Sequence, residues 1–246
     1  MNIVFSLLPY QIVLVFLFGG LMLVGGSWLI LSSMHRGVAA GRWQPPVPPF
    51  SNAMITVWAI GLGFSASDIW QLNHEAALAA EREQSALVQL KGMALAARPQ
   101  LPGLDQALDR YAAAASTEWE QYANAQMLPG GAQALEEMRS VVITSARRSA
   151  LSSLLLGKVM TDLDALEDAR NDRLAIGRLG VNEYKWFLLL FLTALSQVTI
   201  AAVHADRPSG GRLSLGLFAL GSSVSLLILA LHANPYLGMA HIAVPF

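Results

Sequence analysis

Four stretches of this chain run for eighteen residues or more with almost no charge. The hydrocarbon core of a bilayer is about 30 Å thick and a helix rises about 1.5 Å per residue, so about 20 mostly apolar residues cross it. The stretches are Ile12–Met34, Ala53–Trp70 with Asp68 near its end, Trp186–Val203 and Leu213–Leu231. A segment in lipid must satisfy its own backbone hydrogen bonds, which selects helices. The expected fold is therefore an all-α integral membrane protein with four transmembrane helices. Trp28, Trp43, Trp70, Tyr184 and Trp186 fall near the expected span ends, where amphipathic rings favour the headgroup layer. Composition agrees: 54% of residues are hydrophobic and 13% charged, against roughly a quarter charged in soluble proteins.

The charges divide the chain. Twelve of its sixteen Lys and Arg and fifteen of its seventeen Asp and Glu lie between Asn73 and Lys185. Residues 1–72 read as a first transmembrane hairpin, 73–185 as an extramembrane helical domain, and 186–246 as a second hairpin with a short tail. The first hairpin turns through His35–Phe50, where Pro45, Pro46, Pro48 and Pro49 predict a stiff extended link. Ser51 or Asn52 is the expected cap of the second helix. The second hairpin turns at Ala205–Gly211 on Pro208, Gly210 and Gly211. The first apolar run lacks a basic leader, is too long for a signal peptide, and is read as retained.

In the middle region Ala, Leu, Glu and Arg dominate, and the breakers are Pro99, Pro102 and Pro129-Gly130-Gly131. This predicts that the second span continues as helix to about Ala97. A helix from Leu104 to about Met127 follows, then one long helix from Ala132 to about Arg178. Leu156, Val159, Leu163 and Leu166 keep the spacing of a packed face. Orientation comes from the short loops: Arg36, Arg42, Arg207 and Arg212 lie in the hairpin turns and neither terminus carries Lys or Arg. The positive-inside rule puts the turns in the cytoplasm, and the termini and middle domain outside a bacterial inner membrane.

Gly61, Ser65, Asp68, Gln71 and Glu75 fall on one side of the second helix at 100° per residue. In an oligomer this polar, acidic stripe suits a pore lining that favours cations. The alternative is packing, with Gly61-x-x-x-Ser65 as a small-residue contact and Asp68 hydrated or paired at the interface. Arg170 and Arg173, one turn apart, read as structural ion-pair residues whose candidate partners are Glu75 and Asp68. Catalytic signatures fail: His74-Glu75-Ala76-Ala77-Leu78 lacks the second His of a zinc-protease helix, and Gly157-Lys158 lacks the upstream Gly of a phosphate loop. With no cysteine and no clustered histidines, the sequence calls for no cofactor, no metal and no enzyme activity. The acidic middle offers no surface for nucleic acid.

Several segments together resemble the bestrophin-like family of bacterial membrane proteins, named for a distant likeness to bestrophin ion channels and otherwise of unknown function. They are Gly63-Phe64-Ser65-Ala66-Ser67-Asp68-Ile69-Trp70 leading to Glu83-Gln84-Ser85-Ala86-Leu87, Tyr111 with Glu118-Trp119, Arg170-Asn171-Asp172-Arg173-Leu174, and the tail Asn234-Pro235-Tyr236 with Gly238. A proline expected before the third span is replaced by Gly180-Val181-Asn182-Glu183. The resemblance implies a homo-oligomeric ion channel, a pentamer, with inorganic ions, lipid and its own copies as partners. It also implies extended helices in the cytosol, against the orientation from loop charge. A rival reading is a membrane-anchored sensory or partner-binding module.

Overall fold

The computed structural model describes residues 9–121, 129–148, 152–179, 183–236 and 242. Among these residues there are seven helices and no strand: α1 Pro9–Ala39, α2 Pro48–Ala96, α3 Leu104–Gln121, α4 Pro129–Arg148, α5 Ser153–Leu179, α6 Glu183–Val203 and α7 Pro208–His232. The chain divides into two compact units. The first holds α1, α2 up to Gln71, α6 and α7, and the second holds the rest of α2, α3, α4, α5 and Tyr236. Four helices are long and apolar enough to cross a membrane, and each contains one of the expected spans: α1, α2, α6 and α7.

Two apolar faces per helix explain the first unit. On α7, Leu215, Ala219, Leu226 and Leu229 are buried within the unit, while Leu213, Leu217, Leu220, Val224 and Ile228 point outward at the same helical spacing. An outward apolar stripe of that length is a liability in water and the normal state in lipid. Close approach depends on small residues. A Cβ on Gly20 of α1 would sit 2.8 Å from the Ser223 hydroxyl of α7, and one on Gly211 would sit 2.8 Å from the Cβ of His204. Polar side chains in the spans return to their own helices: Thr193 donates to the Leu189 carbonyl at 2.7 Å and Ser222 to that of Ala219 at 3.1 Å. Such back-bonding hides the hydroxyl without a partner helix.

The turns differ from the sequence expectation in one consistent way. α2 begins at Pro48 and α7 at Pro208, so Pro48, Pro49, Pro208, Gly210 and Gly211 belong to first helical turns and not to the links. The first N–H groups of a helix have no intrahelical acceptor, so proline costs nothing there. Ser51 does not cap α2; its hydroxyl donates to the Pro48 carbonyl at 2.9 Å. The end of α1 is a glycine stop. Gly41 has φ +68°, its N–H bonds the Val38 carbonyl at 2.9 Å, and the N–H of Arg42 bonds that of Gly37 at 3.0 Å, the paired bonds of a Schellman motif.

The second unit buries Leu87, Leu90, Leu104, Leu108, Met138, Val142, Val159, Leu163 and Leu166 in one core drawn from all four of its helices. The expected single helix from Ala132 to Arg178 is two, α4 and α5. Arg139 of α4 bonds Asp164 at 2.7 Å and Glu167 at 2.5 Å on α5, residues that an unbroken helix would place roughly 37 Å away or more. The new start is marked by Ser152, whose hydroxyl accepts the N–H of Leu155 at 3.2 Å. A serine cap leaves no trace in a search for Pro and Gly. Pro129, Gly130 and Gly131, expected as a break, open α4. The expected continuation of α3 to Met127, the stretch 180–182 before α6, and Gly238 of the tail lie outside the described residues. Ser152→Ala should cost about 1 kcal/mol of stability, read as a lower melting temperature in detergent with unchanged helix content.

Candidate functional site

Charged residues stand on the apolar faces of three helices in the second unit. Along α2 the buried series is Ala76, Ala80, Glu83, Leu87 and Leu90; along α3 it is Leu104, Leu108, Tyr111, Ala115 and Glu118; along α5 it is Val159, Leu163, Leu166, Arg170 and Arg173. A core position occupied by a charge forces that charge to find its complement inside. The three series converge, and the result is a closed network.

Arg173 forks onto Glu83, with Nε donating to Oε2 at 2.6 Å and an Nη to Oε1 at 3.1 Å. Arg170 does the same to Glu118 at 3.1 and 2.5 Å. Arg173 also reaches Glu118 Oε2 at 3.4 Å, joining the two pairs. Tyr111 donates its hydroxyl to Glu83 Oε1 at 2.6 Å, and the Tyr236 hydroxyl donates to the Arg173 carbonyl at 3.3 Å. Glu83 and Tyr111 are 0% exposed and Arg173 1%. Bidentate pairing supplies the geometry that lets buried charges offset their desolvation. Gly131 closes one side: a Cβ there would lie 2.7 Å from Glu118 Oε1 and 2.8 Å from Arg170 Nε.

The environment moves two of these groups. Burial, then the negative charge and hydrogen bond of Glu83, pushes the Tyr111 phenol far above its ordinary value. For Arg173, burial opposes the charge, but the hydrogen bond and charge of Glu83 outweigh it and the pKa is raised. Tyr111 is therefore a permanent donor and Arg173 a permanent cation. The paired charges fix α2, α3 and α5 to one another.

The expected partners of the arginines are thus replaced: Arg170 and Arg173 take Glu118 and Glu83, not Glu75 or Asp68. Asp68 pairs instead with Lys185 of α6, a partner the sequence reading did not name. Of the other stripe residues, Gly61 and Ser65 face inward. A Cβ on Gly61 would lie 3.2 Å from Leu192 Cδ1, and Ser65 is buried. Trp58, one turn earlier, donates its indole N–H to Thr193 at 2.9 Å. This face of α2 is a seam with α6. Asp68, Gln71 and Glu75 are exposed.

Removing one partner of a buried pair costs about 3–5 kcal/mol, so Glu83→Gln and Arg173→Ala should each unfold the second unit at much lower denaturant. Tyr111→Phe should cost about 1.5–3 kcal/mol, the worth of a hydrogen bond to a charge. The folded chain holds the Tyr111 proton above pH about 10, where the unfolded chain releases it, so stability present below pH 10 is lost as pH rises. Part of that alkaline loss should vanish in Tyr111→Phe, measured as melting temperature against pH.

The residues in this network come from the segments on which the family resemblance rests, and comparison with known proteins bears on it directly. The family described as the bestrophin-like domain matches residues 14–244. No curated protein matches the chain by sequence. Among solved structures, a crystal structure of a membrane protein variant aligns with a TM-score of 0.73 at 16% identity, over 93% of this chain and 93% of that one. A bacterial bestrophin homologue from Klebsiella pneumoniae aligns with a TM-score of 0.71 at 16% identity, over 93% of this chain and 92% of that one. At such identity these likenesses speak for the fold, which is that of bestrophin homologues. The family match takes in both membrane hairpins and the helical unit, and the chain belongs to the bestrophin-like family.

Proposed function

We propose that this protein is a homo-oligomeric ion channel of the bacterial inner membrane, a pentamer, with α2 lining the conducting path. Membership of a family named for the bestrophin channels carries the reading. The membrane unit supports it. The outer face of α2 combines exposed Ser67, Asp68 and Gln71 with Val57, Ile60 and Phe64. Polar and ionisable groups are costly against lipid and reasonable against water or a neighbouring copy. Gly61 and Ser65 hold α2 to α6 in this reading, and the water-facing members of the stripe are Asp68, Gln71 and Glu75.

Cation preference follows from acidic rings, and Lys185 tempers it. In each copy the Lys185 ammonium balances Asp68, and Glu75 stands on the same stripe. In liposomes with opposed salt gradients, the wild-type protein should conduct and its reversal potential should favour the cation. Glu75→Gln should shift that potential toward anions, and Lys185→Gln toward cations by freeing Asp68. A protein that passes no ion under any gradient rules out the channel. Shifts absent in both variants would leave the channel and remove the ring.

The basic residues of the turns, Arg36, Arg42, Arg207 and Arg212, support turns in the cytoplasm and the helical unit in the periplasm. The chain has no cysteine, so Gln89→Cys gives a single reporter on exposed α2. A membrane-impermeant maleimide should label it in cells with a permeabilised outer membrane. Protection until the inner membrane is lysed would reverse the orientation.

A further inference from the structure

Two adjoining hollows lie on the seam between α2 and α5 in the second unit. One, of about 280 Å³, is lined by Glu75, Arg82 and Asp172 with the apolar Leu78, Ala79, Ala175 and Ile176. The other, of about 350 Å³, is lined by Arg82, Ser85, Gln89, Asp162, Asp168 and Asp172 around Ala86, Ala165 and Ala169. Arg82 and Asp172 belong to both, so the hollows form one groove with an alanine floor and an acidic rim. Arg82 meets Asp172 at 3.7 Å with both side chains largely exposed, a pair that adds little.

Asp162 separates this groove from an ordinary solvated acidic face. It is 5% exposed. Its Oδ1 is held by Lys158 at 2.5 Å, and its Oδ2, also buried, has no hydrogen-bond partner. A carboxylate oxygen withdrawn from water and left without a donor is expensive, and a ligand bearing N–H donors relieves the cost. In the larger hollow three carboxylates, Asp162, Asp168 and Asp172, face one lining cation, Arg82, so the ligand is a cation.

Its shape follows from how the carboxylates are arranged. Calcium takes six or more oxygens that converge on one point. Among the described residues no three His, Cys, Asp or Glu side chains come together in that way. The acids are strung out instead. Asp162 and Asp172 are about 15 Å apart along α5, and Asp168 and Asp172, one turn apart, about 6 Å. The latter is the scale of neighbouring ammonium groups on a propyl or butyl spacer, and alanine methyls between the acids suit the methylenes. We propose that the α2–α5 groove binds a linear aliphatic polyamine, its ammonium groups on Asp162, Asp168 and Asp172 and its chain on Ala86, Ala165 and Ala169. The proposal does not depend on ion conduction.

Spermidine binding to the full-length protein in detergent, followed by calorimetry, tests it. Saturable binding is expected, weakened about tenfold by Asp168→Asn, the loss of one charged hydrogen bond. Ala165→Phe fills the floor without touching a charge and should abolish binding. Asp168 and Ala165 are both exposed, and unchanged melting temperatures establish that the variants fold. Absence of saturable binding overturns the proposal. So does binding that survives Ala165→Phe, which would mean a diffuse counter-ion cloud, and so does stoichiometric displacement by magnesium at constant ionic strength, which would mean an inorganic cation site.

Discussion

A guanidinium sealed from water must find its counter-charge within the protein, and in the second unit that requirement ties three helices together. Arg173 sits on α5, Glu83 on α2 and Glu118 on α3, each on a buried face made mostly of Leu and Ala. A hydrophobic core tolerates sliding by a turn at modest cost, because one Leu resembles another. Two bidentate pairs do not, since a slipped helix would strand a buried charge. The register of the unit is set by these five side chains, Tyr111 and Arg170 included, and the apolar core fills in around it. Surface pairs repeat the pattern between neighbours, α2 with α3 through Lys91–Asp109, α3 with α4 through Arg110–Glu137, and α4 with α5 through Arg139. Each contributes little alone.

The membrane unit solves a different problem with different means. Lipid removes the hydrophobic drive between helices, so close approach and local hydrogen bonding matter more. Gly20 against Ser223, and Gly211 against Leu31 and His204, leave room for neighbouring side chains to pack against the helix backbone. Trp58 and Thr193 supply a hydrogen bond across the seam of α2 and α6, and Trp58 also meets Phe218 edge-on at 5.2 Å between ring centres.

Much of this was legible in the sequence because long apolar runs admit few interpretations: α1, α2, α6 and α7 each contain the expected span. What was lost has identifiable physics. Pro48 and Pro208 looked like breakers because proline cannot sit inside a helix, yet it starts one freely. The start of α5 is marked by the Ser152 hydroxyl, and serine is too common to announce a cap. The arginines were read as ion-pair residues, but Glu75 and Asp68 were chosen because they, too, lie where a helix leaves the membrane. The better signal was present: Glu83 and Glu118 interrupt apolar faces at core spacing, as Arg170 and Arg173 do. An acid and a base that both occupy hydrophobic positions are candidates for each other. The Lys185 partner of Asp68 carried no such mark, since both side chains are about half exposed.

Two carboxylates, two guanidiniums and a phenol that keeps its proton sum to no net charge. The network thus adds strong local bonds to the interior of the helical unit without adding net charge. Whatever potential the unit presents to passing ions or ligands comes from charges outside this network, which can change without disturbing the register it sets.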